Sequence, residues 1–307
     1  MPANVKDLDS LPDPPRIRYR PIPGSWERKK HPHWPDDVFR IPQQPDEGDV
    51  YYVTKGDYIR MGRTAFVELL PSGHVAKTPK MNPYYPDKEK ENRQSMEREA
   101  SIYRMVGASS FTPEVIDWDP ESCTLTLKNY PNGDLESYIR KPGYNNRVGL
   151  VIRLRWVLQA AEALAVIHGV GVTHNDVAPR NFLLDEDLDL RICDFAGSSL
   201  PDGTWTSSTC APGPRYESRA WSRDYVPTQA DDIFALGSVM YFIMAGEEPC
   251  SDLDDEEVEH RFENRDFPAS GHLCCGTVIQ DCWHDRFTAT EQIVQALVCE
   301  ARLISMS

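Results

Sequence analysis

Apolar and polar positions divide the chain into a strand-rich first part and a helix-rich second part. Apolar runs at 50–53, 66–70 and 73–77 are bounded by polar or glycine-bearing turns and read as successive strands. Pro71-Ser72-Gly73 forms the turn between the last two. Over 87–106 the period becomes helical: Met96, Ala100, Tyr103 and Val106 recur at spacings of three and four. Runs at 115–118 and 124–127 read as two more strands, turned by Asp119-Pro120-Glu121-Ser122. Beyond Tyr130 helical periods dominate. Leu150, Leu154, Val157, Ala161, Leu164 and Ile167 form a stripe along 149–168, and 230–245 is apolar on nearly every side. Thr288-Ala289-Thr290-Glu291 predicts a capping box opening the last helix. A small β-rich unit (49–130) followed by a larger α-rich one (131–307) predicts an α+β, two-lobed architecture with the ligand site in the cleft.

Residues 1–48 fit neither pattern. Prolines at 2, 12, 14, 15, 21, 23, 32, 35, 42 and 45 block helix and central strand alike. Trp26 and Trp34 are interspersed without a period, which predicts a partly disordered arm resting on the body through its tryptophans. Elsewhere, 40% hydrophobic and 10% aromatic residues in 307 suffice for a sizeable core. A net charge of −15 argues against a nucleic-acid partner and leaves basic proteins as candidates. No apolar run reaches the ~18 residues of a membrane span, and the first residues lack a signal-type segment. The eight cysteines include no Cys-x-x-Cys pair, which predicts reduced thiols without zinc, in the cytoplasm or nucleus. Oligomeric state is not legible.

The chemistry concentrates in His174-Asn175-Asp176-Val177-Ala178-Pro179-Arg180-Asn181 and, one short hairpin later, Cys193-Asp194-Phe195-Ala196-Gly197. Phosphoryl transfer asks little covalent work of a protein. It needs a held nucleotide, a positioned metal and a hydroxyl aimed in line. Asp176 can take a proton from that hydroxyl, and Asn181 and Asp194 can hold the metal. The stretch resembles the catalytic and metal loops of eukaryotic protein kinases, His-Arg-Asp-x-x-x-x-Asn and Asp-Phe-Gly. The resemblance covers about residues 49–300 and implies a protein-kinase-like fold using ATP and Mg²⁺.

Further roles follow from the resemblance. Lys77, ending Val75-Ala76-Lys77, would bridge ATP phosphates and the helix carboxylate Glu99, with Lys80 and Glu97 as the competing registers. Leu127-Lys128-Asn129-Tyr130 would be the hinge, meeting adenine through the backbone of Lys128 and Tyr130, with Leu127 at the back of the pocket. Val67, Val75 and Leu183 would sandwich the ring, and Asp134 would reach a ribose hydroxyl. Of the family's three loop glycines only Gly62 survives, the others falling at Arg60 and Ala65. Glycine there lets backbone N–H groups approach phosphate without an intervening Cβ. Asp232 would tie down the catalytic loop, and Trp283 would be core.

Departures bear on mechanism. Asn175 replaces the arginine that holds a phosphorylated activation loop, so control by Thr204, Thr206, Ser207, Ser208 or Thr209 is not expected. Ala178 replaces a serine/threonine-kinase lysine, while Arg180 matches an arginine that tyrosine kinases use near the γ-phosphate. Ala196 replaces the glycine of Asp-Phe-Gly. Ser218-Arg219-Ala220 stands where Ala-Pro-Glu is usual, with no clear arginine partner after Trp283. The expected function is an ATP-dependent protein kinase, with serine or threonine the family's default acceptor. A non-catalytic scaffold and a kinase-like small-molecule phosphotransferase remain as alternatives.

Overall fold

The computed structural model describes residues 16–200, 211–218 and 225–306. Its first element lies within the proline-rich segment. β1 (Arg18–Ile22) pairs in parallel with β2 (Asp49–Val53), from Arg18 opposite Asp49 to Ile22 opposite Val53. Proline is tolerated at position 21 because both strands of a two-stranded sheet are edges. Arg18 and Arg20 donate to the Asp49 carboxylate at 2.6 and 3.2 Å. A short helix, α1 (Ser25–Lys30), follows, and Gly24 N–H donates to Thr54 Oγ1 at 3.1 Å. Trp34 stacks within the segment on His31, whereas Tyr19 packs edge-on against Phe66 of the body at 5.3 Å. The boundary drawn at residue 48 therefore cuts a hydrogen-bonded pair of strands.

A five-stranded antiparallel sheet carries the first lobe. It comprises β3 (Asp57–Met61), β4 (Ala65–Leu69), β5 (Val75–Pro79), β6 (Val115–Asp119) and β7 (Thr124–Leu127), in the order β3-β4-β5-β7-β6. β3 is exposed along its whole length, so it lacks the one-sided alternation that betrays a strand in sequence. α2 (Pro86–Val106) buries Met96, Glu99, Ala100, Ile102 and Tyr103.

The second lobe is helical: α3 (Leu135–Ile139), α4 (Tyr144–Arg147), α5 (Leu150–Gly169), α6 (Gln229–Ala245), α7 (Asp255–Glu263), α8 (Gly276–Trp283) and α9 (Thr290–Met306). A hairpin of β8 (Phe182–Leu184) and β9 (Leu190–Ile192) separates the two chemical motifs. α6 buries every residue from 232 to 244. It can approach α8 closely because position 237 is glycine: a Cβ there would lie 2.9 Å from Cys282 Cβ and 3.2 Å from the Trp283 ring. Trp283 Nε1–H donates to Ser238 Oγ at 3.0 Å across the same contact. The cap of α9 differs from expectation. Gln292, not Glu291, reaches back to accept the Thr288 N–H at 2.9 Å, and the buried Thr290 hydroxyl meets His168 Nδ1 at 2.6 Å. Among the described residues no helix is long and apolar enough to cross a membrane.

Candidate active site

The loop after α5 is shaped by a carboxylate from the first turn of α6. Asp232, 2% exposed, accepts the N–H groups of His174 (2.6 Å) and Asn175 (2.9 Å), and lies 3.0 Å from His168 Nε2. It thereby holds Asn175 in the left-handed region (φ 67°), which asparagine adopts more readily than most residues. His174 Nδ1 accepts the Asp176 N–H at 3.2 Å, so Nε2 carries the proton that Cys193 O accepts at 3.1 Å. Asn175 Nδ2–H donates to Gly197 O (2.9 Å) and Ser199 Oγ (3.2 Å). Replacing arginine here removes a long cation and installs a short amide clamp between the catalytic and metal loops. The Asp176 carboxylate accepts from Asn181 Nδ2 at 2.9 Å and pairs with Arg180, which also reaches Pro212 O. Burial pushes its carboxyl above the ordinary value against the Arg180 charge, leaving a better proton acceptor.

A second cluster lies on β5 and α2. Lys77 Nζ donates to both Glu99 oxygens (2.8 and 2.6 Å) and to Asp194 Oδ1 (2.9 Å). The competing registers are engaged elsewhere: Lys80 donates to Gly62 O at 3.1 Å, and Glu97 accepts from Cys123 Sγ at 3.7 Å. Burial opposes the Lys77 charge, but Asp194 and Glu99 outweigh it and raise its pKa. Burial likewise opposes ionisation of Asp194, but Lys77 and Arg60 hold that carboxyl at about 2. Glu99 is pushed up by burial, with Lys77 in opposition. Phe195 packs edge-on between Tyr103 (4.9 Å) and His174 (5.3 Å), which anchors the metal loop to both lobes.

The cleft's roof and hinge follow the sheet register. Val67 lies opposite Lys77 on one side and Arg60 on the other. Val67 and Leu127 are buried; Val75 and Leu183 are half-buried. Lys128 is exposed and its N–H donates to Glu114 O, while the buried Tyr130 accepts the Glu114 N–H through its hydroxyl at 3.2 Å. Two of the expected contact residues already carry structural bonds. Asp134 caps α3, accepting Ser137 N–H (2.7 Å) and Oγ–H (3.0 Å), so its carboxylate is already engaged. The Gly62 N–H closes the β3–β4 turn on Ala65 O at 2.9 Å. A Cβ at 62 would meet nothing nearer than 3.6 Å, so the fold itself does not demand glycine there. Arg60 went unnoticed as a site residue; its Nη2 lies 3.9 Å from Asp194 Oδ2. The signal was its register opposite Val67, hidden because β3 itself was not recognised.

Ahead of α6, Arg215 pairs with Asp255 and donates to Leu253 O at 2.5 Å, and the Tyr216 hydroxyl donates to Glu248 at 3.2 Å. Arg286, beyond Trp283, pairs with Asp281 at 2.6 Å. Thr204, Thr206, Ser207, Ser208 and Thr209, with Arg219 and Ala220, lie outside the described residues. Among the described residues no group of three or more His, Cys, Asp or Glu could enclose a metal alone. Asp194 and Asn181 offer hard oxygen donors of the kind that suit Mg²⁺ sharing its shell with water and phosphate.

Residues 78–295 match the protein kinase domain family, well over half of the chain. The chain belongs to this family. The match begins at the residue after Lys77, so most of the roof sheet of this kinase domain lies outside it. The chain is 26% identical over 226 residues to 3-phosphoinositide-dependent protein kinase 1 of Rattus norvegicus, covering 72% of this chain and 37% of the relative. It is 31% identical over 143 residues to maternal embryonic leucine zipper kinase of Xenopus laevis (45% of this chain, 21% of the relative). It is likewise 31% identical over 138 residues to the serine/threonine-protein kinase PDK1 of Cryptococcus neoformans (43% and 11%). This kinase domain thus aligns with well under half the length of each of these curated relatives.

Proposed function

We propose that this kinase transfers the γ-phosphoryl group of Mg-ATP to a serine or threonine hydroxyl of a protein. The observation that carries the reading is the single Lys77 nitrogen held between Glu99 and Asp194, with Asp176 and Asn181 interlocked nearby. In this reading Asp176 accepts the hydroxyl proton, its basicity raised by burial. Arg180, beside Asp176, faces the charge that develops on the transferring group. Lys77 positions phosphate oxygens, and Glu99 keeps its ammonium charged and aimed. Asn181 and Asp194 hold magnesium, which when bound neutralises charge across the phosphates. The backbone of Lys128 and Tyr130 receives adenine beneath Val67 and Val75 and above Leu183, with Asp134 at the ribose edge and Gly62 at the phosphate lid. Residues 49–130 and 131–307 act as the two lobes, with the preceding segment built onto the first.

Serine or threonine as acceptor follows the similarity to the serine/threonine-protein kinase of Cryptococcus neoformans. The net charge of −15 favours basic proteins as substrates. The test is transfer of labelled γ-phosphate, by wild type and Asp176→Asn, to the protein itself and to basic proteins. Transfer lost in the variant supports the reading, and phosphoamino-acid analysis identifies the acceptor. No transfer by a folded wild type that binds ATP refutes it. A scaffold that binds nucleotide without turnover is favoured by one observation: the Gly62 amide is engaged within its own turn.

A further inference from the structure

We propose that Arg60 is a phosphate-binding residue, donating its guanidinium to the nucleotide where the usual loop offers glycine amides. The inference rests on the nucleotide-binding reading above.

Residues directly opposite on neighbouring strands share a face of the sheet. Arg60 pairs with Val67, and Val67 pairs with Lys77, so the three form one row across β3, β4 and β5. Lys77 is on the cleft side, because it meets Asp194 there. Arg60 is on that side too, and the two cations flank the valine roof. They converge on one carboxylate, Lys77 on Oδ1 at 2.9 Å and Arg60 on Oδ2 at 3.9 Å.

Their spare capacity differs. An ammonium has three donors, and those of Lys77 are directed at Glu99 Oε1, Glu99 Oε2 and Asp194 Oδ1. A guanidinium has five. At 3.9 Å the contact of Arg60 with Asp194 is ionic and too long for a hydrogen bond, and the side chain is 44% exposed. Lys77 can turn to phosphate only by giving up one of these bonds, whereas Arg60 has donors to offer an arriving ligand at no such loss. Its planar fork suits phosphate oxygens bidentately. The charge count agrees. Asp176, Asp194 and Glu99 face Lys77, Arg180 and Arg60; with glycine at position 60 the set would be one cation short before a polyanion arrives. A guanidinium on the phosphates also adds to the neutralisation that Lys77, Arg180 and the metal would supply. Nucleotide binding should therefore depend less on Mg²⁺ here than it would with glycine at 60.

Isothermal titration with ATP, ADP and adenosine, each with Mg²⁺ and with EDTA, tests the assignment on wild type, Arg60→Gln and Arg60→Lys. Loss of one charge-assisted contact should weaken ATP about tenfold in Arg60→Gln, most clearly in EDTA. Adenosine affinity should be unchanged, and Arg60→Lys should recover part of the loss. Unchanged ATP affinity in Arg60→Gln overturns the proposal. So does an equal loss for adenosine, which would mean a packing role. A folded wild type that binds neither ATP nor adenosine overturns the nucleotide-site reading itself, and this proposal with it. Thermal melting controls for folding; Arg60 lies on an exposed edge strand, where substitution leaves no cavity.

Discussion

Substitution Asp232→Ala removes one buried carboxylate and orphans three donors together: the His174 and Asn175 N–H groups and, through His168, a ring nitrogen. A buried donor left unpaired costs about 1–3 kcal/mol, and bonds to a charged acceptor lie toward the upper end. Some recovery by water entering the vacated space gives an expected loss of about 3–6 kcal/mol. In a chain of this size each kcal/mol lowers the melting temperature by about 2–4 °C. Circular dichroism should therefore record a fall of about 6–24 °C, with Asp232→Asn intermediate because one oxygen remains. A second readout separates loop positioning from general damage. Asp232 bonds to no residue assigned to adenine or phosphate, so ATP affinity should stay within about threefold. Phosphoryl transfer, which needs Asp176 placed to within about 1 Å, should fall about a hundredfold. Melting within about 2 °C of wild type would show that the three bonds do not hold the loop, and the argument from Asp232 would be wrong.

Gly237→Ala should destabilise by about 1–3 kcal/mol, because its Cβ would overlap Cys282 and crowd Trp283; a denaturant midpoint equal to wild type would show that α8 can retreat freely. The folded-state pKa of Asp194 is about 2, below the ordinary 3.8. Its contribution to stability is thus complete above about pH 4 and lost as pH falls through 2. Acid unfolding should accordingly be less steep between pH 4 and 2 in Asp194→Asn than in wild type, and parallel curves would contradict the assignment. Deleting residues 1–48 should lower the melting temperature by several degrees, since it strips β1 from β2 and Tyr19 from Phe66; an unchanged melt would return the segment to the status of a loose arm.

The side chains that the candidate site brings together could be named from sequence because the motifs fix residue type and spacing. Lys77 meets Glu99 and Asp194, and Asn181 meets Asp176. What escaped was structure whose determinants are not local. β1 finds its partner 31 residues downstream, and proline content conceals it. β3 is exposed on both faces, so periodicity is silent, and with it went the register that aims Arg60 at Asp194. Asp134 is a different case. A carboxylate three residues before Ser137 reads equally as a ribose contact or a helix cap, and in the fold it accepts the Ser137 N–H as a cap. Asn175 was counted as a loss because the resemblance describes the arginine it replaces, not the amide clamp it forms.

The triple pairing at Lys77 has a consequence for how the protein is made. Glu99 follows Lys77 by 22 residues and Asp194 by 117. At about 5–20 residues per second of synthesis, Glu99 is available roughly 5–20 s before Asp194 exists. The nascent first lobe can thus bury a balanced pair, one positive and one negative, without waiting for the rest of the chain. The later carboxylate arrives at a lysine already fixed in place, so the half-made protein need not bury an unpaired cation on the ribosome.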